Sequence, residues 1–136
     1  MPIEDDDAIR KILKEAKTIA VVGASGKPWR DSNSIMQFLI EVGYKVLPIN
    51  PKYSEVLGVP CAPDLLHVPK GIDIVDVFRR SEVINQIVDE AIINGAKTLW
   101  LQLGVINDEA SQKAEQAGMN VIVDHCIRVD HRRLIR

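Results

Sequence analysis

Five short apolar runs, at residues 18–22, 45–49, 72–78, 98–101 and 120–123, alternate with stretches whose apolar residues recur at helical spacing. Ile35, Met36, Leu39 and Ile40 mark one helix face before Gly43. Val83, Ile84, Ile87, Val88, Ala91 and Ile92 mark another before Gly95, with Ser81 placed to cap it. Asn107, Asp108 and Glu109 open a further helix that stops at Gly118. Ile9, Ile12, Leu13 and Ala16, behind the acidic Asp5–Asp7, give a first helix, and a short helical tail follows from Val129. Strands separated by helices of about ten to fifteen residues require right-handed crossovers and a parallel sheet. Runs such as IAVV and VIV, apolar at every position, suit strands buried on both faces.

The expected fold is therefore α/β: one doubly wound domain over residues 1–136, its core at about 10–128, with helices on both faces of a five-stranded parallel sheet. Reading strands one to three and four to five as two linked halves gives the order 3-2-1-4-5, of the Rossmann-like type. It puts the ligand crevice between strands 1 and 4 at their carboxyl ends. The proline-rich segment 52–70 breaks the alternation. It reads as an irregular crossing with an extended piece at 58–61 and a helical turn at 64–66.

Composition narrows the function classes. A net charge of −2 offers no overall footprint for nucleic acid or an anionic membrane. No apolar run approaches the ~18 residues of a membrane span, and the acidic N-terminus MPIEDDDAIRK does not read as a signal peptide, so the expected location is the cytoplasm. Cys61 and Cys126 lack CxxC spacing and read as reduced, mostly buried thiols, with no metal site.

The functional signal lies in TIAVVGASGKPWRDS, residues 18–32. A buried strand turning on Gly23-Ala24-Ser25-Gly26 into a helix that opens at Asp31 or Ser32 offers backbone N–H groups and a positive helix end to one spot, which is a phosphate site. Cations follow each of the first three strands: Lys27 and Arg30, then Lys52, then Arg79 and Arg80. In a parallel sheet these loops share one edge, so five cations converge there in an acidic protein, as a polyanionic small molecule requires. The glycines do not match GxGxxG, and GxxxxGK[ST] is absent. After strand two the chain reads Asn50-Pro51-Lys52, where a protein selecting NAD usually carries a carboxylate for the ribose. A nucleotide with an extra phosphate on its ribose fits better, either NADP or coenzyme A. Phe78 beside Arg79 offers a shelf for an adenine ring, and Trp29 in the loop is placed to cover phosphates or to pack on its own helix.

GASGKPWRDS, VLPINPKY, LGVPCAPDLLHVP, DIVDVFRR, LWLQLGV and VIVDHCIRVDH, in that order from about residue 10 to the C-terminus, together resemble the small stand-alone coenzyme A-binding proteins. These share the Rossmann-like nucleotide-binding domain of the succinyl-CoA synthetase alpha subunit. The resemblance implies that Gly23, Ala24, Ser25 and Lys27, with Arg30, Asp31 and Ser32, meet the diphosphate or the start of the pantetheine. It implies that Asn50, Pro51 and Lys52 meet the ribose 3′-phosphate region, that Phe78 and Arg79 border the adenine, and that Gln102, Leu103 and Gly104 guide the pantetheine arm. The chain departs from the pattern at His125, where members often carry Arg.

No catalytic constellation stands out. His67 lies in the irregular segment, and His125 and His131 flank Cys126 near the end without zinc spacing. Asp73 and Asp76 fall on opposite faces of a regular strand. Tyr44 and Tyr53 neighbour Lys45 and Lys52 along the chain without forming a recognisable Tyr-Lys pair. Arg128, Arg132, Arg133 and Arg136 read as a solvated or subunit-facing tail. The expected function is a coenzyme A or acyl-CoA binding protein without catalytic machinery of its own: a carrier, a sensor, or the nucleotide half of an assembly with a second copy or a separate subunit. The alternative is a small NADP-dependent reductase.

Overall fold

The structure, a computed structural model, describes residues 1–135. Its long strands are β1 (Thr18–Val22), β2 (Lys45–Ile49), β5 (Ile74–Val77), β6 (Thr98–Leu101) and β7 (Asn120–Val123). A hairpin of β3 (Glu55–Val56) and β4 (Val59–Pro60) fills part of the irregular crossing. The helices are α1 (Asp6–Glu15), α2 (Asp31–Glu41), α3 (Ile84–Asn94), α4 (Asp108–Gln116) and α5 (Ile127–Leu134). Short 3-10 turns lie at Leu65–His67 and Ser81–Val83.

All four pairings of the main sheet are parallel. Alternate residues feed two cores, one on each face. Ala20, Val22, Val75, Val77, Leu99, Leu101 and Val121 pack with α3 and α4. Ile19, Val21, Ile74, Trp100 and Ile122 pack with α1, α2 and α5. The helix boundaries follow local chemistry. Asp5 caps α1 by accepting the Ala8 N–H at 3.0 Å, and Gly95 closes α3 in the left-handed conformation at φ 77°.

The strand order is β2-β1-β5-β6-β7, which corrects the expected sequence of strands: the third long strand joins β1 rather than β2. Pro48 supplies a physical reason. It lies within β2, and its carbonyl points away from β1 to accept the Ala62 N–H at 3.1 Å. Its nitrogen faces the same outer side with no hydrogen to donate, so β2 suits a sheet edge and not an interior place. Ala62 makes only an isolated bridge there, to Ile49. The switch point, where successive connections leave in opposite directions, therefore lies between β1 and β5 instead of between strands 1 and 4.

Two local expectations also change. Ser81 does not cap α3; its hydroxyl accepts the Ile106 N–H at 3.2 Å and its carbonyl accepts Asn107 Nδ2 at 2.9 Å, fastening the loop after β6. The third strand, Ile74–Val77, is shorter than residues 72–78; ahead of it the Asp73 carboxylate accepts the Lys17 and Thr18 N–H groups at 2.8 and 3.1 Å. Among the described residues, no helix is long and apolar enough to cross a membrane.

Among the described residues, Asp76 is the one acidic side chain fully enclosed in the sheet, registered between Val21 and Trp100, and both its carboxylate oxygens lack a hydrogen-bond partner. Burial pushes its pKa well above the ordinary carboxylate range. The folded chain thus takes up a proton that the unfolded chain releases. The stability this group contributes falls as pH rises from the unfolded carboxylate range toward the folded value. Asp76→Asn removes the titration while keeping the shape. It is expected to raise Tm by on the order of 5 °C at pH 8 and to change it little at pH 4, in paired thermal melts.

Candidate functional site

The carboxyl ends of the strands open on a cleft of about 790 Å³ that straddles the switch point. Its walls come from the β1–α2 loop, the end of β2, the residues after β5 and β6, and the first turn of α5.

The β1–α2 loop is held from two directions. The Ile49 carbonyl accepts both the Gly23 and Ala24 N–H groups, at 2.9 and 3.3 Å. Asn50 Nδ2 donates to the Ala24 carbonyl and Asn33 Nδ2 to the Ser25 carbonyl, each at 2.8 Å. Two donors of the glycine turn, Gly23 and Ala24, are thus spent inside the fold. The Ser25 N–H of the same turn and, at the start of α2, the Asp31 and Ser32 N–H groups find no protein partner among the described residues. Arg30, at the cap position of α2, gives no side-chain cap, so the positive helix end stays open toward the cleft. Gly23 has no substitute here. Its φ is +89°, and a Cβ would stand 2.9 Å from Arg79 Cδ and 3.1 Å from the Phe78 carbonyl oxygen.

Lys27, Arg30 and Lys52 line the cleft, and Arg128 from α5 joins them. None of the four forms an ion pair among the described residues. Asp31 contributes the one carboxylate on the wall. Tyr53 stands between these groups: its hydroxyl is 3.5 Å from Ser25 Oγ, and its ring edge closes on Gly26. The Ser25 hydroxyl, ahead of the fields of Lys27 and Lys52, holds its pKa below the ordinary phenol value. Trp29, 76% exposed, stands at the mouth with Lys27 Nζ 6.0 Å from its ring centre.

Of the residues singled out from the sequence, Gly23, Ser25, Lys27, Arg30, Asp31, Ser32, Asn50, Lys52, Phe78, Gln102 and Leu103 meet in this one cleft. Four do not line it. Ala24 is fully buried beneath the loop, and Pro51 is exposed in the turn after β2. Arg79 lays its side-chain stem against Gly23. Gly104 turns at φ +79° and donates its N–H to Asp124 Oδ1 at 2.7 Å. Arg80 also stays outside, 3.9 Å from Glu82.

Sequence reasoning missed the contribution of α5. Cys126, Arg128 and Val129 line the cleft, whereas Arg128 read as part of a solvated tail. Gln102 is nearly buried, and its Oε1 accepts the Ile127 N–H at 3.1 Å, locking α5 to the end of β6. His125 sets the same junction: its Nδ1 lies 2.6 Å from Asp130 Oδ2, and its carbonyl accepts Trp100 Nε1 at 3.0 Å. Asp130 also meets Arg133, which pairs with Asp6 of α1. The last arginine of the basic cluster, Arg136, lies outside the described residues. Tyr44 is remote from the cleft; its hydroxyl donates to the Leu13 carbonyl at 2.6 Å, and burial raises its pKa to about 12.

A parallel α/β sheet with a cation-lined cleft at its switch point defines a Rossmann-like nucleotide-binding domain. The chain belongs to the CoA binding domain family, whose model matches residues 17–132. The uncharacterized protein YneT of Bacillus subtilis is 41% identical over 123 residues, covering 90% of this chain and 91% of that protein. A hypothetical protein from Pyrococcus horikoshii OT3 superposes with a TM-score of 0.95 at 45% identity, covering 100% of this chain and 97% of that one. The ADP-forming acetate–CoA ligase I of Archaeoglobus fulgidus is 28% identical over 121 residues, and the match takes up 82% of this chain but 18% of the ligase. The relation to synthetases read from the sequence thus holds at the level of one domain.

Gly23→Ala is expected to lose about 1–3 kcal/mol of stability in urea titration, since the β-carbon both strains the backbone and displaces Arg79. A variant as stable as the parent would show that the turn is free to rearrange.

Proposed function

We propose that the cleft binds coenzyme A or an acyl-CoA, and that the chain works as a carrier, a sensor or the nucleotide half of a larger assembly. The observation that carries this reading is the set of four unpaired cations from three parts of the chain, gathered at an uncapped helix end. Cations held without counter-ions favour a ligand with several phosphates, through charge-assisted hydrogen bonds. Membership of the CoA-binding domain family supports coenzyme A over other polyphosphates, as does the likeness to a domain of acetate–CoA ligases.

In this reading the N–H groups of Ser25, Asp31 and Ser32, with Lys27 and Arg30, meet the diphosphate. Lys52 and Asn50 meet the ribose 3′-phosphate, and Phe78 borders the adenine. Gln102 and Leu103 guide the pantetheine arm. Ala24, Pro51, Arg79 and Gly104 shape the loops behind that surface without touching ligand.

Titration calorimetry with coenzyme A, dephospho-coenzyme A, NAD and NADP tests the assignment. Coenzyme A is expected to bind most tightly. Lys52→Glu is expected to weaken it by about 10–100-fold, the scale of a hydrogen bond to a charged group, while dephospho-coenzyme A changes far less. Equal losses for the two ligands would remove Lys52 from the 3′-phosphate. Binding of NADP alone would replace this reading with the reductase.

A further inference from the structure

The cleft is sorted by chemistry. Lys27, Arg30 and Lys52 stand on the side of β1 and β2, whereas Leu103, Val105 and Val129 stand on the side of β6 and α5. Val105 is half-buried and packs against the α3–α4 core, but Leu103 and Val129 are 65% and 54% exposed and join neither hydrophobic core. Folding therefore gains little from their being apolar.

Both are nevertheless held in place. The Leu103 loop is closed by the Val105 N–H donating to the Gln102 carbonyl at 3.0 Å. It is fixed further by Gly104 on Asp124 and by Ile106 on Ser81. Gln102 reaches across to the Ile127 N–H, so one side chain fixes the spacing between the Leu103 loop and the first turn of α5, where Val129 sits. Arg128 is the cation on this wall, and it turns toward α2, with Nη1 3.4 Å from Ser34 Oγ. The guanidinium thus adds to the cationic half and leaves the β6–α5 side apolar.

Resting on the coenzyme A reading, we propose that the Leu103–Val105–Val129 wall, which the pantetheine arm reaches at Leu103, seats the uncharged acyl group at the end of that arm, so that the ligand class is short, apolar thioesters. One molecule, anionic at its nucleotide end and apolar at its acyl end, then matches both halves of a continuous cleft. A dicarboxylic acyl group would bring its free carboxylate against Leu103 and Val129, with no cation turned toward it.

Titration calorimetry of the full chain with coenzyme A, acetyl-CoA, isobutyryl-CoA and succinyl-CoA decides the matter. Affinity is expected to rise from coenzyme A to isobutyryl-CoA by about fourfold for each methyl or methylene group buried, and succinyl-CoA is expected to gain nothing over coenzyme A. Val129→Asp is expected to bring the isobutyryl-CoA to coenzyme A affinity ratio down to about one. Lys52→Glu is expected to lower both affinities and keep the ratio. Equal affinity for coenzyme A and its acyl forms, tighter binding of succinyl-CoA, or a ratio unmoved by Val129→Asp would overturn the acyl seat alone. Failure of all four ligands to bind would overturn the coenzyme A reading together with it.

Discussion

One carbonyl organises the top of this molecule. Ile49, the last residue of β2, accepts two successive amides, those of Gly23 and Ala24, and so draws the loop after β1 across the end of the neighbouring strand. Asn50 and Asn33 complete the grip from either side. The cationic side of the cleft depends on that placement. It puts Lys27 and Arg30 on the same wall as Lys52, aims the open end of α2 inward, and brings Tyr53 against Gly26. The arrangement needs glycine at position 23 and a strand end at position 49, and it consumes two of the donors, Gly23 and Ala24, that the turn would otherwise lend to a ligand.

Much of this was legible in the residues. The five long strands, the two-sided burial and the helix stops at Gly43, Gly95 and Gly118 follow from periodicity and local chemistry, which act over a few residues. The strand order does not follow from those signals. The edge place of β2 agrees with the missing hydrogen at Pro48, which disfavours an interior strand whichever side it faces. The residue was visible, and its constraint on an interior strand was available from the sequence.

The site was legible where a motif concentrated it. The run from Gly23 to Ser32 and the Asn50–Lys52 turn named most of the cationic half. Residues that contribute through the fold escaped. Asn33 lies inside a helix, where nothing in the sequence distinguishes it from a surface position. Arg128 stood in a basic tail and was read with its neighbours, although strand five of a parallel sheet ends at the same edge as the other four. That topological fact alone places Cys126, Arg128 and Val129 near the ligand side, without any motif.

The two borders of the sheet carry a consequence for how this protein meets others. At one border Pro48 offers no donor, and Ala62 already occupies the neighbouring groups. At the other, the Ile3 N–H takes the outward carbonyl of Val121 at 2.7 Å. Both margins are thus partly covered by the chain itself, which shortens the ladder open to another chain. Extension of the sheet is disfavoured at those positions, and the helix surfaces and the mouth of the cleft offer the broader ground on which a companion molecule can be recognised.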